Sequence, residues 1–173
     1  VTFVPASSAD ALDVADDQVE ALFDEGWNAG DIALITLGQR HPVQVKRQDA
    51  LGQQGYWDTF WDADDIFYGH VLGFKGMERR AVVLCVNESG TRDRASERLY
   101  VGLSRATDRL VVVGDPEDVA EGRAEGPGRD ARVGLREERA LRHVVGPEAD
   151  EVLAVAGARG VPAGREDGVD LLA

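Results

Sequence analysis

The sequence of 173 residues has one cysteine, one methionine and a deficit of basic side chains, 19 Lys and Arg against 32 Asp and Glu. The lone Cys85 excludes an internal disulfide, and its apolar neighbours mark it as a small buried hydrophobe rather than a reactive thiol. No apolar run approaches the roughly 20 residues that a membrane-spanning helix needs. The longest, AVVLCV at residues 81–86, has the length of a buried strand. No basic segment followed by an apolar one opens the chain, so a secretory signal is not expected and the expected compartment is the cytoplasm. The net charge of -13 argues against strong independent binding to nucleic acid, since Lys and Arg supply most non-specific affinity for phosphates. A local basic face can still line part of a DNA channel. Because the first residue is Val1 and the only methionine is Met77, the stretch reads equally as a piece of a longer product.

Aromatic residues are absent after Tyr100, and beyond Pro116 the chain is rich in Gly, Ala, Arg, Glu and Pro. That shift divides the sequence into a core, residues 1–115, and a tail, residues 116–173. With no large side chain to build a core, the tail is expected to be weakly ordered, with one or two short helices. A length of this order predicts one globular domain.

Within the core, TFV at residues 2–4 reads as a short strand, and PASSAD offers serines and Asp10 as helix caps. Leu12, Ala15, Val19, Leu22 and Phe23 recur at helical spacing, and Gly26 stops that helix. DIALITL is a continuous apolar strand of the kind buried on both faces. Pro42 begins a stretch read as irregular, reaching the aromatic cluster Tyr56, Trp57, Phe60 and Trp61. DIFYGHVLG, AVVLCVN and RLVVVGD supply three more strands, with a helix RASERLYVGLSRA before the last. Strands alternating with helices across short polar loops predict an α/β fold with a mainly parallel sheet.

Two stretches have the composition of a ligand site, which in such sheets is expected at the carboxyl ends of the strands. In GFKGME, glycines allow close backbone approach, Lys75 offers a charge to a phosphate, and Glu78 can accept hydrogen bonds from a sugar hydroxyl. The same turn is also ordinary chemistry between strands. In LYVGLSRAT, Arg105 points away from the apolar face of Leu99, Leu103 and Ala106, near a helix end. Its simplest role is to complement the negative helix terminus, worth roughly 0.3 to 1 kcal/mol.

Taken in order, GFKGME before an apolar strand and LYVGLSRATDRLVVVG further on resemble motifs V and VI of the UvrD/Rep/PcrA-type superfamily 1 DNA helicases. The likeness covers about residues 1–115 and is to the second RecA-like domain of compact members. It implies that Arg105 reaches the γ-phosphate of ATP across an interdomain cleft. It also implies that Glu78 contacts the ribose, with Gly76 permitting close approach, and that Arg40 is a second arginine near the γ-phosphate. Lys75 is implied to organise the cleft or to meet the nearby DNA backbone; His70 and Leu72 stand where the family often carries Thr and His that touch single-stranded DNA, so His70 is either a DNA contact or a satisfied strand residue. The aromatic cluster could stack bases, each worth roughly 1 to 3 kcal/mol, or pack locally.

No G-x-x-x-x-G-K-[ST] occurs, and no strand-borne acidic pair stands where magnesium would be held. The resemblance therefore implies that ATP and Mg2+ are held mainly by a P-loop RecA-like domain, in the same polypeptide or another. Single-stranded or partly duplex DNA would be the other partner. The alternative is a noncatalytic RecA-like module whose acidic surface and tail recruit a protein partner.

Overall fold

The computed structural model describes residues 1–88 and 95–119; of the expected tail, residues 116–173, the part from residue 120 onward lies outside the described residues. Five strands form one all-parallel sheet: β1 (Thr2–Pro5), β2 (Ile32–Thr36), β3 (Phe67–His70), β4 (Arg79–Val86) and β5 (Ala106–Gly114), in the order β1-β5-β4-β2-β3. Three helices connect them: α1 (Ala11–Asp24), α2 (Pro42–Asp58) and α3 (Ala95–Leu103). This is the α/β architecture that the alternating pattern predicts, and it is consistent with a RecA-like arrangement. Among the described residues no helix is long and apolar enough to cross a membrane.

The side-chain period of two along each strand divides the core into two layers. Ile32, Leu34, Ala81, Val83, Cys85, Val111 and Val113 pack with Ala11, Ala15, Val19 and Leu22 of α1 on one face. Ala33, Ile35, Val82, Leu84, Leu110 and Val112 pack with Tyr56, Phe60, Leu99 and Leu103 on the other. All five residues of β2 are buried, as a strand covered on both faces requires. Cys85 is wholly buried, its Sγ donates to the Ala11 carbonyl at 3.3 Å, and burial pushes the thiol up to about 12. The core continues past Asp115 to Val119, which is buried with the second layer. In α1, Phe23 does not join the expected apolar face and is 42% exposed. Asp10 precedes the helix without a side-chain capping bond, because its carboxylate accepts from Ser7 Oγ at 2.6 Å.

The stretch after Pro42 is helical rather than irregular. Proline occupies the first turn, where its missing N–H is not needed, and His41 Nδ1 accepts from the Val43 amide at 3.1 Å. The His41 Nε2–Asp16 Oδ2 contact, 3.1 Å, ties this cap to α1. Gly52 then breaks α2 with φ 69° and ψ 179°, a conformation that suits glycine. Before the break, Arg47 donates to the Ile66 carbonyl at 2.8 Å; after it, Tyr56 Oη donates to the Tyr68 carbonyl at 2.9 Å. The bent helix thus covers the edge strand β3, which would otherwise present bare carbonyls.

The aromatic cluster resolves into distinct environments. Tyr56 and Phe60 are buried with Phe67 and Phe74, Trp57 is partly buried against them, and only Trp61 stands out, 79% exposed. The last helix and strand meet differently from the expected pattern. α3 ends at Leu103 and β5 begins at Ala106, so Arg105 lies in the junction and Ala106 in the strand. At Gly102 an added Cβ would stand 2.5 Å from Leu84 Cδ1, so α3 sits close on β4 and a larger residue would have to displace the buried Leu84 side chain.

Candidate functional site

The register separates the implied site residues into two groups. Thr36 of β2 is level with Cys85 of β4 and Val113 of β5. Arg40 and His70 lie at or beyond this level, at the carboxyl end of the sheet. Glu78 and Arg105 immediately precede β4 and β5, at the amino end. At the usual strand rise, Arg105 and the level of Thr36 are separated by about 25 Å along the strands. The carboxyl-end location expected for both stretches holds only where residues 71–76 leave β3; the segment then crosses the sheet and delivers Glu78 to the opposite end.

At the amino end the two stretches are joined by hydrogen bonds. The Arg79 amide donates to the Arg105 carbonyl at 3.0 Å, and Arg105 Nη1 donates to the Met77 carbonyl at 3.3 Å. The Arg105 side chain folds back over the end of α3, Nε donating to the Val101 carbonyl at 2.9 Å and Nη2 to Ser104 Oγ at 2.8 Å. This satisfies a last-turn carbonyl and places a cation at the negative helix end. One N–H on each terminal nitrogen remains without a partner among the described residues. Glu78 is exposed, and among the described residues no ion pair or hydrogen bond engages its carboxylate. Lys75 is exposed too. Gly76 has φ 85° and no atom within 4 Å of an added Cβ, so its glycine is required by backbone conformation and its surroundings are open.

The turn is braced from beneath. Phe74 is fully buried among Phe60 and Phe67, and Met77 packs partly buried against the same layer. Arg79 lies over the Phe60 ring, 3.9 Å from guanidinium carbon to centroid, and its Nη2 donates to the Phe60 carbonyl. Arg79 was not among the residues singled out from the sequence. Nothing in a pattern of residue types marks an arginine that follows Glu78 and opens a strand.

The carboxyl end is built otherwise. His70 Nε2 donates to the carbonyls of Leu37 and Gly38, each at 3.1 Å, and Nδ1 accepts from the Leu72 amide at 3.3 Å. Both ring nitrogens are engaged by backbone, and burial, the largest cause, holds the imidazole below its ordinary value. Asn87 accepts from the Gly38 amide at 2.9 Å and donates to the Gln39 carbonyl at 2.9 Å. Arg98 pairs with the buried Glu88 at 3.0 Å and donates to the Leu37 carbonyl at 3.3 Å. Arg40 is exposed at this end and is not brought to Arg105.

Among the described residues no cluster of three or more His, Cys, Asp or Glu could hold a metal ion. The free donors of Arg105 and the free acceptor of Glu78 suit phosphoryl oxygens and sugar hydroxyls respectively. No known protein family matches the chain, and no curated protein shows significant similarity to it.

Proposed function

We propose that this chain is the C-terminal portion of an ATP-dependent DNA helicase or translocase, contributing to an ATP site that a P-loop domain completes. The observation that supports this most is the junction of Met77, Arg79 and Arg105, which brings the two motif-like stretches together at one end of the sheet. Arg105 supplies the finger that neutralises charge on the transferred phosphoryl group. Glu78 accepts from a ribose hydroxyl, and Lys75 meets the DNA backbone. ATP supplies the phosphoryl chemistry, with Mg2+ held on the partner domain. For Arg105 to reach a phosphate it must give up the Val101 carbonyl, so closure of the two domains exchanges a helix-capping bond for a charge-assisted one.

The test separates capping from catalysis. In the enzyme completed by its P-loop domain, Arg105→Ala is expected to lower DNA-stimulated ATP hydrolysis by about 10³ to 10⁵, and to cost about 0.3 to 1 kcal/mol of stability. A variant that loses that stability yet turns over normally reduces Arg105 to a helix cap and removes the helicase reading.

A further inference from the structure

The described arginines differ in what they face. Arg47, Arg80, Arg98 and Arg109 each pair with a carboxylate. Among the described residues Arg40, Arg79 and Arg105 form no ion pair, although the charge of Asp31 acts on Arg79 from beyond ion-pair distance. In a chain with 32 acidic residues against 19 basic ones, carboxylates are in excess, so an arginine held without one stands out. Arg40 is alone at the carboxyl end. Arg79 and Arg105 are anchored to one short segment of backbone, the first by its own amide and the second through the Met77 carbonyl. Glu78 directly precedes Arg79 and forms an ion pair with neither arginine among the described residues.

Arg79 is held differently from Arg105, by a ring rather than by the end of a helix. Its guanidinium is stacked on Phe60 and tied to the Phe60 carbonyl, and its Nε is buried with no hydrogen-bond partner. The two arginines are joined through backbone, neither forms an ion pair among the described residues, and each keeps terminal N–H groups without a hydrogen-bond partner there, a donor set that complements a polyanion whose oxygens can accept from both.

We infer that Arg79 is a second anion-binding guanidinium beside Arg105, and that the pair takes the polyphosphate of a nucleoside triphosphate. This rests on the nucleotide-cleft reading above and divides the work within it. Arg79, stacked in place, holds the bound nucleotide; Arg105, released from its helix end, meets the charge that develops during transfer. Loss of Arg79 therefore raises KM, whereas loss of Arg105 lowers kcat.

The experiment titrates inorganic tripolyphosphate into the full chain at low salt, following the guanidinium Nε–H resonances of Arg79 and Arg105 by NMR. The Arg79 resonance is expected to shift, and Arg79→Gln to weaken binding about tenfold, the loss of one charge-assisted contact. Arg79→Lys, which keeps the charge without the fork, should weaken it by about threefold. Absence of binding, an Arg79 resonance that stays still while that of Arg105 moves, or unchanged affinity in a folded Arg79→Gln each overturns the proposal. The wild-type titration decides even where that variant fails to fold. If Arg79 responds but an added P-loop domain confers no ATP hydrolysis, the anion pair stands and the helicase reading falls.

Discussion

The two ends of the sheet treat their polar groups in opposite ways. At the carboxyl end, His70, Asn87, Glu88 and Arg98 bond to one another's loops and to backbone, with Arg40 the exposed exception. At the amino end, Glu78 and part of the Arg79 and Arg105 donor capacity face no partner among the described residues. Open α/β sheets usually place ligands at the carboxyl end. Among the described residues the polar groups of that end are largely engaged by one another and by backbone, although Arg98 Nε and Nη2 are buried without a hydrogen-bond partner, while the open groups lie where β4 and β5 begin. Polar groups that satisfy each other stabilise a fold; polar groups left open are available to a ligand.

The contrast can be broken most forcefully at the closed end. Arg98→Met separates a pair whose side chains are only 12% and 6% exposed and should cost about 3 kcal/mol. Urea unfolding measures this, and a loss below about 0.5 kcal/mol, the range of an ordinary surface substitution, would remove the structural reading of that end. A smaller effect concerns pH. Because the folded state holds His70 below its ordinary value, the unfolded chain binds the proton more readily. The resulting stability is fully present above about pH 6.5 and is lost as the pH falls toward the folded-state value. Denaturation midpoints should therefore drop between about pH 7.5 and 5.5, and less so in His70→Asn. The smallest change in stability is expected at the open end, where Glu78→Ala should stay within about 0.5 kcal/mol of wild type. The same substitution should raise the KM for ATP in the completed enzyme. A Glu78→Ala protein that is markedly less stable would show that this carboxylate has a structural partner after all.

Much of the frame was legible because it rests on local patterns. The strands β2, β4 and β5 are apolar runs bounded by polar loops, and α1 follows a helical period ended by Gly26. The helix α2 was not legible, since Pro42 and Gly52 read as breakers and its glutamines blur the apolar stripe. Proline at a helix start and glycine at a bend suit a helix that wraps an edge. The closeness of Glu78 and Arg105 could be anticipated from motif order, whereas the distance of Arg40 could not. That distance depends on strand register, which no single segment encodes. Arg79 escaped notice for a related reason: being unpaired is a property of its surroundings.

The strand order carries a consequence for how the molecule forms. Among the described residues β1 pairs with no strand but β5, Thr2 matching Val111 and Pro5 matching Gly114, so this edge strand must await the last described one. Closing so long a loop costs entropy before any contact rewards it, and sheets dominated by distant pairings fold slowly. A nascent chain can assemble β2, β3 and β4 early, but it remains unfinished until the segment following Arg105 has emerged and slipped between its neighbours. The junction that holds the candidate site is thus also the hinge on which completion of the fold turns.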